Sequence, residues 1–155
     1  MFVDTFPSPD ELKGAVQGTW LYLSIYLAIF IPFQSFSKFY LVKKKRAEAK
    51  AKGDKKRISL ADVKYYNKTD LLALVGDRTV GNFMEFAIVF LPLLWIHALF
   101  VPGGCQESFT ICVIYSISRM YYPIALSQGF AVMLSTVPGY VTYLYLFAKV
   151  GWAMM

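Results

Sequence analysis

Arg78-Thr79-Val80-Gly81-Asn82-Phe83-Met84-Glu85 opens onto Phe86 to Val101, a run in which His97 is the only side chain able to carry charge. An arginine, an asparagine and a carboxylate stand at i, i+4 and i+7. On a helix these three share one face. The stretch therefore reads as a polar stripe cut into the start of a membrane span. Polar groups in hydrocarbon are costly, so the stripe should face a bundle interior and find partners there.

The rest of the chain supports a membrane reading. Its 155 residues are 57% hydrophobic, with 13 Phe, 11 Tyr and 3 Trp. Of 16 Lys and Arg, 13 lie between Lys38 and Arg78, leaving Lys13, Arg119 and Lys149. Apolar blocks separated by one basic block indicate a multi-pass integral membrane protein. The expected fold class is all-α, an integral membrane four-helix bundle in a single domain over 1–155. Its spans are placed at about 14–42, 71–100, 107–130 and 132–152, with a basic loop at 43–70.

Ser8 or Asp10 is positioned to cap the first helix. Gly14 and Gly18 form a small-xxx-small pair suited to close helix contact. The Lys- and Ala-rich stretch after Val42 favours helix, so the first span is expected to extend into water as far as Gly53-Asp54. Each span carries an interior proline: Pro32, Pro92, Pro123 and Pro138. The basic loop should face the cytoplasm or an equivalent compartment, with both termini opposite. Under that topology Asn67-Lys68-Thr69 is a chance sequon. The basic run reads as a solvated loop, and no nucleic-acid module surrounds it.

Other chemistry is sparse. Cys105 and Cys112 would lie roughly 10 Å apart on one helix, beyond disulfide reach, and read as free thiols. No Cys/His metal set, phosphate loop or catalytic triad is apparent. His97 reads as a hydrogen-bonded interface residue.

Depth suggests which polar groups can meet. Glu85 lies roughly 10 Å deeper than Arg78, and Arg119 on the returning third helix lies roughly 13 Å deep. A Glu85–Arg119 pair is expected at that level, and Asn82 falls near Tyr122. Two readings fit. Arg78, Asn82, Glu85, Arg119 and Tyr122 either glue the helices together or line a crevice for a small, polar, net-anionic ligand.

These residues resemble the MAPEG family, membrane-associated proteins in eicosanoid and glutathione metabolism. The resemblance is carried by Arg78-x-x-x-Asn82-x-x-Glu85, by Ser118-Arg119-Met120-Tyr121-Tyr122-Pro123-Ile124-Ala125, and by the basic cluster Lys43 to Arg46. It implies a homotrimer of four-helix subunits with glutathione as cosubstrate, bound between subunits near the basic loop. Carried over by position, Arg78, Asn82 and Glu85 would contact glutathione, and Arg119 and Tyr122 would contact it or support it. The implied function is a glutathione transferase or peroxidase acting on lipophilic electrophiles, in the endoplasmic reticulum or an organellar membrane. The chain departs from the family at two places. Leu126 stands where eicosanoid-type members have tyrosine. Residues 131–136 lack the arginine that activates the thiol, leaving Ser135, Thr136, Lys44 or Arg46 as substitutes. The alternative is a catalytically silent MAPEG-like subunit of a larger membrane assembly.

Overall fold

The computed structural model describes residues 6–55, 57–63 and 70–155; the Asn67-Lys68-Thr69 sequon and the side chains of 127, 129 and 130 lie outside it. Four long helices follow one another: α1, Pro9–Ala51; α2, Leu71–Phe100; α3, Gly104–Ala125; and α4, Met133–Met154. No strand occurs among the described residues.

Each helix end has a local cause. Ser8 caps α1 in a capping box, accepting from the Glu11 N–H while Glu11 reaches back to the Ser8 N–H at 2.7 Å. Pro32 has no N–H to donate. Tyr26–Phe30 therefore widens into a π turn, and the Ile31 N–H reaches back to Tyr26. This is how α1 passes its proline without ending. The helix does run past the basic cluster, and it stops at Ala51 through Gly53. At φ 72°, Gly53 lets its own N–H bond Lys50 and the Asp54 N–H bond Ala49, a left-handed cap that costs a glycine least.

Asp70 caps α2 by accepting from the Ala73 N–H at 3.1 Å, and it also holds Lys44 Nζ at 3.1 Å. Burial pushes the Asp70 carboxyl up, but the Ala73 N–H and the Lys44 ammonium outweigh this and keep it below its ordinary value. The helix spans differ from the sequence reading mainly in α3. It ends at Ala125 and passes into a 3-10 segment, Leu126–Val132, so the turn into α4 begins sooner than expected.

The core is aromatic. Tyr22 stacks on Phe83 at 4.1 Å between centroids, and Phe90 stacks on Tyr115 at 4.0 Å. Their polar tips are satisfied inside: Tyr22 donates to the Phe83 carbonyl, Tyr143 to the Phe86 carbonyl, and the Tyr115 and Tyr143 hydroxyls bond each other. The Gly14/Gly18 face meets α3. A Cβ on Gly18 would lie 2.8 Å from Cys112 Cβ, and the Cys112 thiol donates to the Gly18 carbonyl at 2.9 Å. Both cysteines are free and buried.

The outside is apolar too. Ile88, Ile117, Leu134, Leu144 and Phe147 all point outward. Buried tyrosines with outward aliphatics are the distribution expected of a bundle solvated by lipid. α1 and α2 are each long and apolar enough to cross a membrane. Trp20 and Trp152 face outward, whereas Trp95 turns inward to donate to Thr19.

The alternation of the four helices puts Pro9 and Met154 at one end of the bundle and Ala51 and Leu71 at the other. Single cysteines at Asp10 and Lys52, in a cysteine-free background, are expected to react with an impermeant thiol reagent from opposite sides of sealed vesicles. Reaction from one side would contradict a four-span topology.

Candidate functional site

Tyr122 of α3 lies within electrostatic reach of Arg78, Asn82 and Glu85 of α2 and of Arg119 one turn back on its own helix. Four of the residues chosen from sequence are thus neighbours of the fifth. They differ in exposure: Tyr122 is 7% exposed and Arg119 2%, Asn82 is half-buried, and Arg78 and Glu85 reach the surface.

The expected Glu85–Arg119 ion pair does not form directly. Arg119 Nε and Nη2 are buried and have no hydrogen-bond partner among the described residues. The guanidinium lies over the rings of Phe86 and Tyr115, 4.6 and 4.9 Å from their centroids. The reason is rotational. Successive helix positions are about 100° apart, so Phe86 takes the inward slot and Glu85 is turned to the outer face. Contact with two π faces attracts a cation but satisfies none of its N–H groups. Gly139 of α4 closes the other side, where a Cβ would run into the guanidinium.

The residues named as substitutes for a thiol-activating arginine are engaged elsewhere. Ser135 is fully buried and donates to the Ser118 carbonyl at 2.5 Å. Thr136 donates to the Val132 carbonyl at 3.0 Å. Lys44 pairs with Asp70, and Arg46 Nε donates to the Ile58 carbonyl at 2.7 Å.

One polar cluster was missed in the sequence. Lys38 Nζ lies 2.5 Å from Asp77 Oδ2, and Gln34 Nε2 donates to Asp77 Oδ1 at 3.0 Å. The pair is buried and ties α1 to α2 immediately beside Arg78. Its signal was present: Gln34 and Lys38 stand at i and i+4 in an otherwise apolar span, which needs an acceptor on a neighbouring helix.

The fold defines a membrane-embedded four-helix protein with a set of polar side chains on α2 and α3 inside an otherwise apolar bundle. The profile of the MAPEG family matches residues 21–155, and the chain belongs to that family. No curated protein and no solved structure matches it.

Proposed function

We propose that this protein binds glutathione at Arg78, Asn82, Glu85, Arg119 and Tyr122 and presents its thiol to lipophilic electrophiles dissolved in the bilayer. The observation that supports the proposal is Arg119, a buried guanidinium whose Nε and Nη2 have no partner among the described residues, one turn from Tyr122 and within electrostatic reach of the same phenol as Arg78, Asn82 and Glu85. Glutathione has two carboxylates and an ammonium. Arg78 and Arg119 suit the carboxylates through charge-assisted bonds, and Glu85 suits the ammonium. The surface exposure of Arg78 and Glu85 fits a site completed by a neighbouring subunit in a homotrimer. The membrane is that of the endoplasmic reticulum or an organelle.

In this reading the chemistry is nucleophilic. The glutathione thiol loses its proton to solvent, and the sulfur lone pair forms a bond to the electrophilic carbon. The leaving group departs with the electrons of the broken bond. A thiol far from positive charge keeps its ordinary pKa and is mostly protonated at neutral pH. With Ser135, Thr136, Lys44 and Arg46 already engaged, turnover is expected to be slow. The same observation favours a second reading, a catalytically silent subunit of a larger membrane assembly.

Calorimetry on the purified protein separates binding from its absence. Heat should appear with millimolar glutathione, and Arg78→Ala should weaken affinity by about tenfold or more, the loss of one hydrogen bond to a charged group. No heat, and no effect of Arg78→Ala, would remove the ligand site. Rapid conjugation of an aryl halide would show that some other cation activates the thiol.

A further inference from the structure

At the end of the bundle opposite the start of α2, three helices bring four ionisable side chains together. His97 comes from the last turn of α2, Glu107 from the first turn of α3, and Tyr145 and Lys149 from the end of α4. The Tyr145 hydroxyl donates to Glu107 Oε2 at 2.6 Å. His97 Nε2 stands 3.5 Å from the same oxygen, and Lys149 Nζ is 3.5 Å from Oε1. The Glu107 and Lys149 side chains are 39% and 40% exposed. His97 is wholly buried, and neither ring nitrogen has a hydrogen-bond partner among the described residues. That departs from the sequence expectation of a hydrogen-bonded histidine. Buried polar atoms are nearly always satisfied, so a histidine with two orphaned nitrogens, one of them 3.5 Å from a half-exposed carboxylate, requires an explanation.

A cavity of about 500 Å³ runs from this cluster between α3 and α4. Glu107 and Tyr145 line the groove at the cluster, and Ile111, Ile114 and Val141, with the Thr110 and Thr142 side chains among them, line it further along the helices. From Glu107 to Ile114 the helix rises roughly 10 Å. The cavity therefore has a charged mouth at the level of lipid head groups and an apolar throat extending toward the bilayer centre.

We propose that this groove binds one phospholipid with a zwitterionic, primary-amine head group. The ammonium sits on Glu107, the phosphate on Lys149, and one acyl chain lies between α3 and α4. Charge complementarity selects this occupant. Adjacent opposite charges on the protein match adjacent opposite charges on the lipid. Glu107 Oε1 faces only the Lys149 ammonium, 3.5 Å away, and a carboxylate oxygen has lone-pair capacity for a second N–H. A choline head has no N–H to give. A glycerol head brings a phosphate for Lys149 but no cation for Glu107. The throat contributes by burying chain methylenes, so a head group alone gains little.

Native mass spectrometry of the delipidated full chain, loaded with phosphatidylethanolamine, phosphatidylcholine or phosphatidylglycerol of identical chains, tests the assignment. One phosphatidylethanolamine per chain should be retained with a preference of about tenfold or more, the size expected for hydrogen bonds to a charged group. Glu107→Gln should erase the preference. Ile114→Trp, on an exposed wall of the throat, should lower retention without touching the head-group contacts. Helical circular dichroism checks that each variant is folded, and either variant alone suffices to decide. Equal retention of the three lipids, or preference and retention unchanged in the folded variants, overturns the proposal. Displacement of the lipid by soluble phosphoethanolamine also overturns it, because the site would then recognise a free phosphoamine.

Discussion

Replacing Lys38 by methionine is expected to lower the stability of the detergent-solubilised protein by about 3–5 kcal/mol. Asp77 is 2% exposed and would lose the ammonium beside its Oδ2, and removing one partner of a buried ion pair is strongly destabilising. The double variant Lys38→Met/Asp77→Leu should recover most of the loss, because an apolar pair of similar volume replaces a buried ion pair at little cost. Denaturation of the wild type, both single variants and the double variant gives the coupling directly. A single-variant loss below about 1 kcal/mol, or strict additivity, would mean that this pair does not hold α1 to α2.

Arg119→Leu is expected to behave in the opposite way. Arg119 carries a buried charge with two nitrogens unsatisfied among the described residues, so removing it relieves a desolvation cost and loses only its contacts with Phe86 and Tyr115. Stability without ligand should be unchanged or higher. What should disappear is the stabilisation conferred by glutathione, which for the wild type at a hundredfold excess over Kd is about 2.7 kcal/mol. Thermal melts with and without glutathione read both quantities. Clear destabilisation of the ligand-free variant would make Arg119 a structural residue. An unchanged ligand shift would place glutathione elsewhere. Because Glu85 does not pair with Arg119, Glu85→Gln and Arg119→Leu should add in their effects on ligand-free stability.

The features that were legible in the sequence are those fixed by position along a helix axis. Leu71–Phe100 stood out because the apolar run from Phe86 closes at Val101-Pro102-Gly103-Gly104, which carries turn chemistry. The matching of Asn82 with Tyr122 followed from depth alone, and Asn82 is among the groups that act on the Tyr122 phenol. Depth failed for Glu85 and Arg119 because it gives height and not rotation. Two residues at one level can still face different ways, and Phe86 occupied the inward direction. The end of α3 was placed too late because the apolar character continues through Leu126 and Phe130, while the backbone has already tightened into a 3-10 segment. Lys38 was counted with the basic cluster that follows it, which hid its separate role inside the bundle.

The close approach of α4 at Gly139 also constrains how this chain can change over time. Any substitution of Gly139 adds at least one carbon where the Arg119 guanidinium already sits. A shorter residue at 119, by contrast, can appear first without crowding anything. The two positions are therefore coupled: a larger residue at 139 would push the guanidinium off the Phe86 and Tyr115 rings, and a glycine there keeps that seat for the buried cation open.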